Sequence, residues 1–225
     1  GRFKAKQKSE KTLGEKNKII EQEKSRNEEL LLNILPKNIA DELKASGKAK
    51  ARRYDQVTVL FSDFVNFTKI AEQLSPEELV EELDKCFKAF DHIIKQYPDI
   101  EKIKTIGDAY MCASGLSERK RLPNNWIQAA LDMQSYLHEY KELRIKQGKP
   151  YFEARIGMHT GPVVAGVVGD IKFAYDIWGD TVNTAARMEQ NYEPGKINIS
   201  ETTHALVKDK FACEFRGEKK KKNKG

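Results

Sequence analysis

The order of strand-like and helix-like segments predicts a mixed α/β fold of the α+β kind, a mainly antiparallel sheet with helices on one face and elements running β-α-β-β-α-β with additions. Three observations predict it. Val57 to Phe64 is apolar on both faces and β-branched at its start, as a central strand must be. Strand-like runs meet at glycine-bearing turns, Gly107-Asp108 and Gly161-Pro162. Helical segments with start signals, Ser75 to Gln96 and Asn125 to Gln147, separate them.

The chain has 225 residues, enough for one domain with a real core plus an extension. Hydrophobic residues make up 39% and charged residues 33%, so part of the chain must be solvated along its length. The +6 net charge sits at the ends. Residues 1–24 and residues 218–225 contribute +4 each, leaving about −2 for the body. Such a distribution argues against a nucleic-acid face. No apolar run is long enough to span a bilayer, and the opening residues carry no signal-peptide pattern. Cys86, Cys112 and Cys213 show no paired metal spacing, which favours a reducing, cytoplasmic setting.

In chain order, residues 1–35 read as a coiled-coil signalling helix. Leu13, Ile20, Asn27 and Ile34 recur every seven residues, with the polar Asn27 at a seam position where it would fix register. A lone charged helix is the competing reading. Pro36 interrupts this helix, and residues 36–53 read as a short helix from Lys37 to Ala45, ending near Gly47, and a linker. The strand from Val57 follows. Ser75-Pro76-Glu77-Glu78 is a capping box with proline at the first helical position. Ile100 to Ile106 and Ala109 to Ser114 form a hairpin, and after the long helix a strand from Phe152 to His159 is expected to turn back at Gly161-Pro162. The sum is a ferredoxin-like βαββαβ sandwich.

Asp63 ends the row Val57, Val59, Phe61, Asp63, which shares one strand face by period two. A carboxylate there needs a cation, donors or an open strand end; by itself it also suits an exposed strand end or a helix cap. Asp108 at a hairpin tip beside that strand would bring a second carboxylate close. Two such groups repel unless a divalent ion neutralises them, and oxygen-only ligation suits Mg²⁺ or Mn²⁺. A plain turn Asp is the alternative. Asn183 and Arg187, four residues apart after Gly179-Asp180, share a helix face, as a surface pair also would. His92, His138, His159 and His204 form no zinc pattern and read as structural, and Trp178 reads as a packing residue near a dimer interface.

Four stretches carry a resemblance: Leu60 to Thr68, Lys102 to Tyr110, Arg155 to Gly161 and Tyr175 to Met188. In that order they are similar to the motifs of the class III nucleotidyl cyclase catalytic domain, over residues 54–225. Leu31 to Lys44 resembles the transducing helix that precedes this domain in receptor-type cyclases. The resemblance implies that Asp63, Asp108 and the Phe64 carbonyl bind two divalent ions, Mg²⁺ or Mn²⁺. It implies that Val65, Asn66, Phe67 and Thr68 cradle phosphate through their amides, with Arg155 adding charge. Asn183 would orient the ribose and Arg187 would stabilise the transition state. Lys104 and Asp176, with Ile177 beside them, would read adenine, where guanylyl cyclases carry Glu and Cys. The product of ATP would be cyclic AMP.

Two departures stand out. Asn66 replaces a frequent glycine, and the lysine run after Glu218 falls where a strand normally carries a triphosphate-binding lysine. Register points to Lys222, against a charged tail, in a domain that stops before the usual last strand. The family also implies a homodimer whose two sites are shared between chains. The basic stretch Arg2 to Lys11 suits the cytoplasmic flank of an upstream membrane helix or sensor. The competing readings are a guanylyl cyclase and a catalytically silent dimerising domain.

Overall fold

The computed structural model describes residues 2–117, 122–169, 171–190 and 192–217, the side chains of residues 2–10 and of residue 123 excepted. Lys222 lies outside the described residues. The chain divides into two units, Gly1–Ala51 with Gly166–Tyr175, and Arg52–Ala165 with Asp176–Gly225.

In the first unit, helix α1 (Arg2–Leu32) is followed by α2 (Lys37–Ser46). Pro36 stands at the junction and Gly47 closes α2 at φ 69°, donating its amide to the Leu43 carbonyl. Only a residue without a Cβ takes that left-handed turn freely. Leu35, Ile39 and Ala40 form a small buried cluster, packed by Leu31, Leu43, Ala49, Val167 and Tyr175. Lys44 pairs with Glu28 at 2.8 Å on the surface. The heptad residues Leu13 and Ile20 are each 60% exposed, and Ile34 is 66% exposed, so in a single chain the seam has nothing to bury against. Among the described residues no helix is long and apolar enough to cross a membrane.

The second unit is built on β1 (Arg52–Phe64), α3 (Phe67–Ala71), α4 (Pro76–Lys95), β2 (Ile100–Ile106), β3 (Ala109–Ser114) and α5 (Pro123–Lys146). After these come β4 (Ala154–Val168), β5 (Ala174–Trp178), α6 (Asp180–Gln190), β6 (Ile197–Ile199) and α7 (Glu201–Val207). The strands lie in the order β2-β3-β1-β4-β5, with β6 pairing β4 in parallel. The first four reproduce the expected βαββαβ arrangement, with β1 antiparallel to both neighbours. The expected capping box is present: the Glu78 amide donates to Ser75 Oγ, and the Ser75 amide donates to Glu78 Oε2. The Gly107-Asp108 turn joins β2 to β3 as expected.

On the face that carries Leu60 and Phe64, α4 and α5 enclose the main core. Phe90, Tyr110, Trp126, Met133, Phe152, Ile156 and Met158 fill it. The Phe64 and Phe152 rings stack at 4.7 Å between centroids. Cys86 and Cys112 are buried there, and burial pushes both thiols up to about 12, so they serve as small apolar fillers.

Two expectations need correction. Helices do not keep to one face: α6 lies on the other side, over Val57, Val59 and Phe61. Gly157 pairs with Phe61 and therefore shares its face. A Cβ on Gly157 would stand 2.0 Å from the Glu189 amide nitrogen, and one on Gly161 would stand 2.6 Å from Thr181 Oγ1. Two glycines four residues apart on β4 thus admit α6, Gly157 taking its backbone at Glu189 and Gly161 the Thr181 side chain.

The second correction concerns Gly161-Pro162, which is no hairpin turn. Strand β4 runs through it, and the hairpin to β5 turns after Val168, where Gly169 takes φ 92°. Proline has no amide to give β1, and β1 answers with a bulge, its register with β4 shifting between Tyr54 and Val57. The Pro162 carbonyl still works, accepting from Thr181 Oγ1 at 2.7 Å.

Candidate active site

Asp63 sits at the end of β1, opposite Ala109 on β3 and Arg155 on β4. Asp108 is the turn residue just before Ala109, so antiparallel pairing alone carries its carboxylate to that of Asp63. Burial, and then the charge of Asp63, raise the Asp108 carboxyl above its ordinary range. Two half-buried carboxylates brought together at a strand end are chemically suited to a divalent cation. Phe64, the next residue, is anchored by its ring in the aromatic core, which fixes the neighbouring backbone. Among the described residues no group of three or more His, Cys, Asp or Glu is disposed to hold a metal.

Arg155 is bonded within the site to two carboxylates. Its Nη2 donates to Asp63 Oδ2 at 3.0 Å and its Nε donates to Glu189 Oε1 at 2.8 Å. Glu189 belongs to α6, and only 6% of its side chain is exposed. Burial, then Asp63, push its carboxyl up to about 7, while Arg155 pulls in the opposite direction. Sequence reading missed this residue. The signal was the Arg155/Gly157 spacing, which puts an arginine and a helix-admitting glycine on one strand face.

A second set of bonded side chains joins the two edges of the sheet. Lys104 on β2 donates from Nζ to Asp176 Oδ2 on β5, and the other Asp176 oxygen accepts from the Ile177 amide at 2.9 Å. A register shift between Lys102 and Lys104 sets how Lys104 is aimed. Asp176 keeps 15% of its side chain exposed and Lys104 keeps 39%, so the pair is open to an incoming polar edge. The two residues singled out in the sequence thus stand in contact, one from each edge strand.

The loop after β1 is more restricted than expected. The Val65 amide already donates to the Glu153 carbonyl at 2.8 Å, which leaves Asn66, Phe67 and Thr68 as the stretch that opens α3. Asn66 takes φ 56°, the left-handed conformation that glycine adopts freely and asparagine tolerates best among the others. Asn183 is exposed and Arg187 half-buried, one turn apart on α6. His159 Nδ1 lies 2.7 Å from Ser200 Oγ, which also caps α7, in keeping with a structural role. Trp178 is 40% exposed.

Residues 49–225 match the family described as Adenylate and Guanylate cyclase catalytic domain. An adenylate cyclase of Mycobacterium tuberculosis is 42% identical over 210 residues, which are 92% of this chain and 46% of that protein. A receptor-type guanylate cyclase of Caenorhabditis elegans is 43% identical over 207 residues, 90% of this chain and 16% of its own length. The chain thus spans less than half the length of these curated relatives. Among solved structures, the catalytic core of a rhodopsin-guanylyl cyclase with converted specificity, in complex with ATPαS, superposes with a TM-score of 0.70 at 36% identity. It covers 79% of this chain and 94% of that one. The adenylyl cyclase CyaB of P. aeruginosa gives 0.66 at 30% identity, covering 73% of this chain and 86% of that one.

Proposed function

We propose a function for this chain from one premise: it belongs to the family of adenylate and guanylate cyclase catalytic domains. It is therefore a nucleotidyl cyclase module, and our reading is that its substrate is ATP. The 3′-oxygen of the ribose bonds to the α-phosphorus, the bond to the bridging oxygen breaks, and cyclic AMP, pyrophosphate and a proton leave. When bound by Asp63, Asp108 and the Phe64 carbonyl, two divalent ions, Mg²⁺ or Mn²⁺, would acidify that hydroxyl and neutralise the triphosphate.

The chain's own residues supply position. The amides of Asn66, Phe67 and Thr68 at the start of α3 would face phosphate oxygens, with Arg155 as the nearby cation and Lys222 as a further one. Asn183 would hold the ribose, and Arg187 would offset charge growing on the phosphorus. Lys104 would donate to a ring nitrogen of adenine while Asp176, braced by the Ile177 amide, accepts from the exocyclic amine. Guanine presents the reverse pattern at those positions. It would leave buried polar groups unmatched at about 1–3 kcal/mol each, or roughly 10- to 10³-fold in preference.

The observation that carries the choice of ATP is the bonded Lys104–Asp176 pair, two adenine-type readers held together on one chain. A solved relative with converted specificity binds ATPαS, so this scaffold admits an adenine nucleotide. The guanylyl reading draws on the equally similar receptor-type relative and is opposed by that pair. We also read residues 1–35 as a dimerising helix, with Leu13, Ile20 and Ile34 buried against a second copy and Asn27 fixing register. Under that reading residues 36–53 transmit the signal of an upstream sensor or membrane domain to the catalytic domain, residues 54–225, on the cytoplasmic side. Incubation with ATP or GTP and each metal, followed by product chromatography, should give cyclic AMP from ATP at least tenfold faster than cyclic GMP from GTP. Equal turnover of GTP would refute the choice of base, and no metal-dependent turnover of either would refute the enzyme.

A further inference from the structure

We propose that Glu189 is a positioning residue for the cation site: it holds Arg155 by Nε and so keeps that guanidinium from closing on Asp63. The inference rests on the reading of Asp63 and Asp108 as the cation pair. Nε and Nη2 are the two parallel donors that a single carboxylate accepts side-on in a bidentate pair. Here that edge is divided, Nε going to Glu189 at 2.8 Å and Nη2 to Asp63 at 3.0 Å. Without an acceptor at Glu189, the same edge is free to engage both Asp63 oxygens and compete with any cation for them.

Glu189 is suited to this task by where it stands. Its side chain is 6% exposed, so water is a poor substitute acceptor. Its backbone rests on Gly157, two residues along β4 from Arg155, at a separation that leaves no room for a Cβ. The carboxylate is thereby set against the arginine by helix and strand together, not by a flexible reach. The helix that carries Asn183 and Arg187 would in this way also govern how strongly the acidic pair is occupied by the chain's own arginine.

Two conservative substitutions in the full chain separate placement from charge. Glu189→Asp keeps the charge but withdraws the acceptor by one methylene, whereas Glu189→Gln keeps an acceptor oxygen in place and removes the charge. With Mn²⁺ alone as the probe, free ion is counted by electron paramagnetic resonance, with no nucleotide present. Glu189→Asp should raise the Mn²⁺ dissociation constant about tenfold, and Glu189→Gln should stay within about threefold of the parent. In an Arg155→Ala background, Glu189→Asp should change the constant by less than about threefold, because no guanidinium remains to compete. The proposal is overturned if Glu189→Asp binds like the parent, if Glu189→Gln is the weaker of the two, or if Glu189→Asp costs as much without Arg155. A parent whose Mn²⁺ binding survives Asp63→Ala would remove the underlying reading, and this inference with it.

Discussion

Opposite sizes of side chain build the two faces of the sheet. Under α4 and α5 the strands present Phe64, Tyr110, Ile156 and Met158, and the helices answer with Phe90, Trp126 and Met133, all buried. Under α6 the same strands present Gly157 and Gly161, and a helix backbone comes within a distance that no Cβ allows. Large side chains between layers contribute stability and tolerate some repacking. A backbone resting on a backbone contributes less apolar burial and fixes position instead. The difference explains why the charged groups Asp63, Arg155 and Glu189 gather on the glycine face, where α6 can be held in one register.

The largest expected effect probes the aromatic face. Phe90 is fully buried and lies edge-on to Tyr110, with ring centroids 5.5 Å apart. Phe90→Ala should cost about 3–5 kcal/mol of stability by leaving a cavity. Its turnover, measured well below the lowered melting temperature, should stay within about threefold of the parent, since nothing on the α6 side has moved. A large loss of turnover in a folded Phe90→Ala protein would mean that the faces are not independent.

Arg187 tests the other side, with a slightly smaller expected effect of a different kind. Arg187→Ala should raise the barrier by about 3–4 kcal/mol, or roughly 10²–10³ in turnover, with nucleotide binding mostly intact. Melting temperature should hardly change. If sites are shared between copies, mixing Asp63→Ala with Arg187→Ala should recover activity in heterodimers, each of which keeps one complete site. A mixture that stays inactive would confine each site to one chain.

What the sequence disclosed and what it hid follow the same division. Local chemistry was legible: the Ser75 cap, the Gly107-Asp108 turn and the period-two row ending at Asp63 need only neighbours within a few residues. Lys104 and Asp176 as residues to watch, and the departure from glycine at Asn66, were legible through resemblance, but the bond between the first two was not. Gly161-Pro162 was misread because the feature that makes it strand, the β1 bulge and the hydroxyl of Thr181, lies elsewhere in the chain. Glu189 was missed for the same reason. Its partner Arg155 is 34 residues away, and the contact exists only once α6 lies on β4.

Gly157→Ala sets the two faces against each other most directly, at a smaller cost in stability than Phe90→Ala. The new methyl would meet the Glu189 amide nitrogen at 2.0 Å and its Cα at 2.5 Å, so α6 must move and no side chain can yield in its place. Overpacking of this sort costs about 1–3 kcal/mol, less than the cavity left by Phe90→Ala. Turnover should nevertheless fall at least tenfold, because Asn183, Arg187 and Glu189 all move with the helix, and placement errors of ångström size carry costs of that order or more. Calorimetric melting alongside cyclase kinetics separates the quantities. If Gly157→Ala loses stability but keeps parental turnover, the glycine face is ordinary packing, and the register of α6 does not set the chemistry.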